Sequence, residues 1–293
     1  MKSLMWQRFS RRRSAVAGLM LFVALVVFAL FGGLLTRYSY TDTDFLAIGF
    51  PPGRGHWFGT NDAGNDLYAQ VVHGLQRSLV IALAVAIGTT MIAAVAGSFA
   101  AFFGGWVEKA TLGVIYLLLV VPSFLILALT ANATGGDWRW IIVALIVFGW
   151  MMLARVVHSM AVSLREREFV LAARYMGERP VTIIARHIIP NLSSLLVINF
   201  ALGVVGTVLT ETGLSFLGLG VKIPDVSLGS LLQAGVGTIV ASPWLFYFPA
   251  GALTLLTVSM TLMADGLRDA LDPNAANPTV AEPALTVESG GTQ

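Results

Sequence analysis

The chain has 293 residues, of which 56% are hydrophobic and only 12% charged, with a net charge of +2 and a mean hydropathy of +0.79. So little charge cannot cover the surface of a soluble protein of this length, so lipid must solvate much of it. The absence of cysteine excludes disulfides, thiolate catalysis and cysteine-ligated metals, and arginines clustered beside apolar runs speak for membrane orientation rather than a nucleic-acid partner.

A helix needs about 20 apolar residues to cross the hydrocarbon core, because backbone polar groups there must be bonded internally. Six stretches qualify, predicting an all-α integral membrane protein with spans at 14–35, 79–103, 110–130, 140–157, 192–210 and 243–263. The first follows a basic segment, 1–13, holding Arg8, Arg11, Arg12 and Arg13. It is too long for a signal-peptide core and lacks a small-x-small cleavage site, so it reads as a retained anchor. With the amino terminus inside, only Arg37, Arg54, Arg77, Arg139 and Lys222 of the 18 Lys and Arg residues face outward. That asymmetry is the one the positive-inside rule demands, and it places both termini in the cytoplasm of a bacterial plasma (inner) membrane.

The outward loop 36–78 contains the run Gly59-Thr-Asn-Asp-Ala-Gly-Asn-Asp66. Turn chemistry explains it at least as well as contact with another protein through Thr60, Asp62 and Asp66. It lacks EF-hand spacing, and the four histidines form no His-x-x-x-His pair, so no metal is expected. Pro122 and Pro249 are expected to kink the third and sixth spans.

The inward loop 158–191 is the most informative segment. Good helix formers run from Leu164 to Met176, Gly177 is a natural left-handed stop, and Pro180 suits the first turn of a second helix. Ile183, Ile184, Ile188 and Ile189 stand among charges with no lipid to enter, so they are expected to face a protein partner. The bland alternative is an amphipathic loop lying on anionic lipid, which would not fix the distance from Gly177 to Pro190.

Beyond the fifth span, the loop 211–242 opens with Glu211-Thr-Gly-Leu-Ser-Phe-Leu-Gly-Leu-Gly220. Glu211 and the glycines Gly213, Gly218 and Gly220 are candidates for gating or close packing, and small residues serve both equally well. The apolar stretch 230–240 is too short to span and is expected to lie at the outer interface or to re-enter. Residues 79–264 form the core, and the Ala-, Pro- and Thr-rich tail within 265–293 is expected to be disordered.

Within the inward loop, Ala172, Ala173, Gly177 and Pro190 fall on the spacing of the cytoplasmic coupling motif of ATP-binding-cassette importer permeases. Leu171 and His187 depart from it, and Glu168 stands one turn before Leu171. Together with the Gly59–Asp66 run, the Glu211–Gly220 run and Asp265-Gly-Leu-Arg-Asp-Ala-Leu-Asp-Pro273, this chain resembles the dipeptide/oligopeptide permease family, the C-type subunit rather than the B-type. The resemblance implies a type I importer architecture, with Glu168, Ala172, Ala173, Gly177, Ile184, Arg186 and Pro190 forming the ATPase-coupling loop. It also implies a paralogous B-type permease, two cytoplasmic ATPase subunits and an extracytoplasmic substrate-binding protein.

No Gly-x-x-x-x-Gly-Lys-Ser/Thr phosphate cradle occurs, so the chain is expected to be non-catalytic and without a cofactor of its own, ATP and Mg being held by the partner ATPases. Few ionisable residues fall within the spans, which argues against an ion-driven carrier or channel and for an apolar, backbone-lined route. A nickel chelate or haem, moved by the same machinery, is an alternative cargo to di- or oligopeptides.

Overall fold

A computed structural model of the protein describes residues 2–271. Its helices, in chain order, are α1 Lys2–Arg11, α2 Arg13–Phe31 with a 3-10 turn Gly32–Leu35, α3 Leu67–Phe103, α4 Gly105–Val120, α5 Ser123–Ala133 and α6 Trp138–Gly149. They continue with α7 Met151–Arg165, α8 Glu168–Tyr175, α9 Pro180–Ile183, a π-helical turn Ile184–Ile188, α10 Ile189–Asn191, α11 Ser193–Phe216, α12 Leu228–Val236 and α13 Trp244–Leu271. Among the described residues, extended pairing is limited to the isolated bridges Thr43–Asn65 and Thr60–Asp66.

Five segments are long and apolar enough to cross a membrane: 13–35, 67–103, 138–165, 193–216 and 244–271. The pair α4 and α5, bent by 72°, makes a sixth. The bend has a local cause. Val121, before Pro122, is extended (φ −70°, ψ 128°), as the proline ring requires of its predecessor.

Small residues let the spans approach closely. A Cβ on Gly97 of α3 would stand 2.6 Å from the Ala154 carbonyl of α7, and one on Gly18 of α2 would stand 2.7 Å from Leu262 of α13. Tyr68 Oη donates to the Gly32 carbonyl at 3.1 Å, so α2 and α3 are antiparallel and meet at one end of the bundle. At the other end, Arg12 pairs with Asp269 and donates to the Asp265 carbonyl. The start of α2 and the end of α13 therefore share the face on which α3 terminates.

Several expected boundaries move. The second span begins at Leu67 rather than 79, because Asp66 accepts the Ala69 N–H at 2.8 Å and caps the helix. The polar residues His73, Gln76 and Arg77 disguise its first turns as loop. The fourth span continues as helix to Arg165, so 158–165 is not loop. Asp265–Leu271 completes α13 and is not tail, whereas residues 272–293 of the expected disordered tail lie outside the described residues. α13 passes through Pro249 as one uninterrupted helix.

The short apolar stretch expected to lie at the outer interface or to re-enter folds as α12 and is wedged inside the bundle. The buried residues of α12, Leu228, Gly229, Leu231, Leu232 and Gly235, face α3, α11 and α13. Pro249 has no N–H to return to the Leu245 carbonyl, and Gly235 packs directly on that carbonyl, where any side chain would collide.

Candidate functional site

The unit between α7 and α11 is built from α8, α9, the π-helical turn and α10. α8 closes in a Schellman arrangement, with Glu178 N–H donating to the Ala173 carbonyl and Gly177 N–H to the Arg174 carbonyl, both at 3.1 Å. Gly177 has φ +78° with open space around it, so the conformation, not crowding, selects glycine there. Pro180 occupies the first turn of α9. Near its end the unit meets Pro190, which cannot donate to the preceding turn. Ile189 N–H reaches back to the Ile184 carbonyl in a wider π-type turn, and Asn191 Nδ2 donates to the His187 carbonyl at 2.6 Å. Glu178 Oε2 lies 2.9 Å from His187 Nε2 and ties the two halves together.

The expectation that the isoleucines face a partner is corrected. Ile183, Ile184 and Ile188 are buried, and with Val170, Ala173 and Leu192 they pack on Ala101, Phe102, Val157 and Ala161 of α3 and α7. Ala173 and Ile184 thus belong to the chain's own core and present nothing outward. Glu168, Ala172, Gly177, Arg186 and Pro190 are exposed. Glu168 begins α8 and makes no ion pair among the described residues. What the unit shows to its surroundings is Tyr175 (88% exposed), Met176 (80%) and Val181 (60%), set among Arg174, Arg179 and Arg186. The residue types of Tyr175 and Met176 gave no signal; their place beside the Gly177 stop did. Arg165 Nη1 donates to the Ala101 carbonyl at 2.8 Å, and the Arg174 guanidinium lies 4.9 Å from the Phe102 ring, so the C-terminal end of α3 is the seat of the unit.

At the opposite end, the expected contact residues Thr60 and Asp66 are buried and structural. Thr60 Oγ1 accepts the Phe50 N–H at 2.8 Å and donates to the Ala47 carbonyl, while Asp66 Oδ2 lies 2.8 Å from His56 Nδ1. Neither offers a surface to another protein; Asp62 is exposed. Asn61 Oδ1 accepts the Ala63 and Asn65 N–H groups, an Asx turn, so the turn reading of this run describes its geometry.

The loop between α11 and α12 is pinned by Asp225, whose carboxylate meets His73 Nε2 at 2.7 Å and Arg77 Nε at 2.8 Å. Tyr40 stacks on His73 and Trp138 lies under Arg77. Burial works to raise the Asp225 carboxyl, but the hydrogen bonds from His73 and Arg77, the Arg77 charge and the Val226 N–H outweigh it and hold it below the ordinary aspartate value. Sequence reasoning missed this cluster, because its members lie 152 and fewer residues apart with no motif joining them.

Glu211 stands inside α11, not at the start of a loop, and is buried. It adds one buried ionisable group to the few within the spans. Gly220 is buried against Ser215, whereas Gly213 and Gly218 are exposed, and Gly218 takes φ +73° just past the end of α11. Above them opens a cavity of about 840 Å³, lined in part by Tyr40, Gln70, Asp225, Ser230 and Gln233.

Comparison with known proteins gives two matching family descriptions. Residues 93–277 match the binding-protein-dependent transport system inner membrane component, and residues 2–52 match the N-terminal TM domain of oligopeptide transport permease C. The chain is 47% identical over 274 residues to the oligopeptide transport system permease protein OppC of Mycobacterium tuberculosis (strain ATCC 25618 / H37Rv), covering 93% of this chain and 94% of the relative. It is 33% identical over 266 residues to the protein of the same name from Bacillus subtilis (strain 168), covering 91% and 87%.

Proposed function

This chain belongs to the family of binding-protein-dependent transport system inner membrane components, and on that premise we propose that its α8–α10 unit is the seat of a separate ATP-hydrolysing subunit. The chain is the permease subunit of an ATP-binding-cassette oligopeptide importer. With a paralogous B-type permease it forms the route for di- and oligopeptides across the plasma membrane. Two cytoplasmic ATPases carry ATP and Mg, and an extracytoplasmic binding protein delivers the cargo. Both termini lie in the cytoplasm, on the side of the α8–α10 unit, and this chain performs no catalysis itself.

One observation carries the coupling role. The unit is rooted in the core on one side and displays Tyr175, Met176 and Val181 among arginines on the other. Its charges, Arg165 through Arg186, keep it out of hydrocarbon, so those apolar side chains stand in water unless a protein covers them. Fully burying a Met-sized side chain is worth about 1.5–3 kcal/mol, enough for two or three such residues to anchor a docked subunit. A rooted unit moves as a body, so a push on Tyr175 reaches α3, α7 and α11.

The test is site-directed crosslinking. Tyr175→Cys and Met176→Cys in the assembled transporter should each join to an ATPase subunit in native membranes, and absence of adducts from both positions would remove the docking role. Ala173 and Ile184 are unsuited to this experiment because both are buried.

A further inference from the structure

We propose that Glu211 is a positioning residue that fastens the wedged helix α12 to α11, so that movement begun at the α8–α10 unit reaches the outer mouth. The inference rests on the docking role given above to α8–α10. α11 starts at Ser193, directly after that unit, and its 24 residues form one helix about 36 Å long. Its inner end is held by buried Leu192 and Ile188. Near its outer end, Glu211 Oε1 accepts from two hydroxyls: Ser215 of the same helix at 2.9 Å and Ser227, the residue that caps α12, at 2.6 Å.

Ser227 is committed on both sides. Its Oγ accepts the Ser230 N–H at 3.1 Å while Ser230 Oγ accepts the Ser227 N–H at 2.9 Å, a reciprocal capping box. The next N–H, that of Leu228, goes to Ser78 Oγ of α3 at 3.1 Å. A Cβ on Gly229 would stand 2.9 Å from Glu211 Oε2, so the carboxyl lies flat on the first turn of α12. Glu211, Ser215, Ser227 and Ser78 are all buried, and Glu211 Oε2 has no hydrogen-bond partner among the described residues.

An apolar contact here would let α11 slide past α12, since dispersion has no preferred direction. Short buried hydrogen bonds fix distance and angle, and they are strong where water is excluded. The joined helix forms one wall of the outer cavity through Ser230, Leu231, Gln233 and Ala234. Tilting α12 with α11 therefore reshapes that cavity.

The chain has no cysteine, so Gln233→Cys supplies its single reporter, on α12, for a membrane-impermeant maleimide read on this subunit's band in proteoliposomes holding the complete importer. With native Glu211, labelling should differ between the resting and vanadate-trapped states. Glu211→Ala and Ser227→Ala should each lower peptide moved per ATP hydrolysed by about tenfold, the weight of one buried hydrogen bond, and abolish the state dependence of labelling. Glu211→Gln retains the accepting oxygen and should keep both readouts near native values.

If Glu211→Ala fails to assemble, Ser227→Ala decides alone, because it leaves the glutamate in place. Native coupling and native state-dependent labelling in an assembled Ser227→Ala importer would overturn the proposal, as would a Glu211→Gln importer as impaired as Glu211→Ala. A Tyr175→Cys crosslink to the ATPase, run in the same variants, separates the two ideas. Its loss with native Glu211 strikes the docking role, whereas its persistence beside unaltered coupling in Ser227→Ala strikes only the joint.

Discussion

The α8–α10 unit and the α12 wedge both pack against the long helix α3, yet only the second adds a buried hydrogen-bonded joint to its apolar contacts. Isoleucines seat the inner unit in a dry apolar socket. The outer helix is fixed by Glu211, Ser227 and Ser78, with Gly229 and Gly235 drawn against neighbouring atoms. An apolar socket resists extraction but is indifferent to small rotations, while a hydrogen-bonded joint specifies register. On the coupling proposed above, the inner unit can be pushed without detaching and the outer one can follow without slipping.

The largest expected effect falls on the inner socket. Ile188→Asp places an unpaired charge among fully buried aliphatic groups and should prevent assembly, read as loss of the mature complex from membranes. The milder Ile188→Ala should cost about 2–5 kcal/mol and lower the unfolding temperature of purified complex in detergent. Full assembly of Ile188→Asp would show that the socket is not a structural core.

Gly177→Val comes next. The left-handed backbone there costs a β-branched residue roughly 1–3 kcal/mol, so the Schellman turn should open and ATP hydrolysis uncouple from transport with insertion intact. Gly177→Asn, which tolerates that conformation, should retain most coupling, and equal damage from both substitutions would move the cause from backbone to side chain.

Removing an exposed knob should be gentler. Tyr175→Ala should leave the unfolding temperature unchanged while weakening ATPase association, measured by copurification in mild detergent. A fall in stability instead would mean that Tyr175 belongs to the fold.

The smallest effect concerns acid. Because its folded state favours the charged form, Asp225 contributes stability that is present at neutral pH and is lost as pH falls below the ordinary aspartate range through its lowered folded value. Protease nicking of the loop between α11 and α12 should rise over that acid window in the native chain. In Asp225→Asn it should be raised already at neutral pH and flat across the window; the same acid-dependent rise in Asp225→Asn would assign the sensitivity elsewhere.

The architecture was largely legible because lipid solvation imposes long apolar runs, and Gly177 and Pro180 spelled out the inner turn. What misled was the equation of residue type with exposure. Ile184 looked outward-facing because its neighbours are charged, yet a two-helix unit lying on α3 and α7 has an inner face that a linear pattern of mixed charge conceals. Thr60 and Asp66 looked available because polar loop residues are usually solvated; here they satisfy the backbone of a folded loop and cap α3. His73 and Arg77 hid the start of that helix, since their partner Asp225 lies far along the chain. Ser227 and Ser230, which cap α12 reciprocally, were not read as a helix start, and nothing local linked them to Glu211.

The 37 residues of α3 make a rod about 55 Å long, well beyond the roughly 30 Å of hydrocarbon a bilayer offers. Its Ala101 and Phe102 support the inner socket, and its Gly74 and Ser78 touch α12. A single protein ruler therefore sets the span between the two working ends. Thinner or thicker membranes should lean this rod over or stand it upright while leaving the stroke length of the machine unaltered.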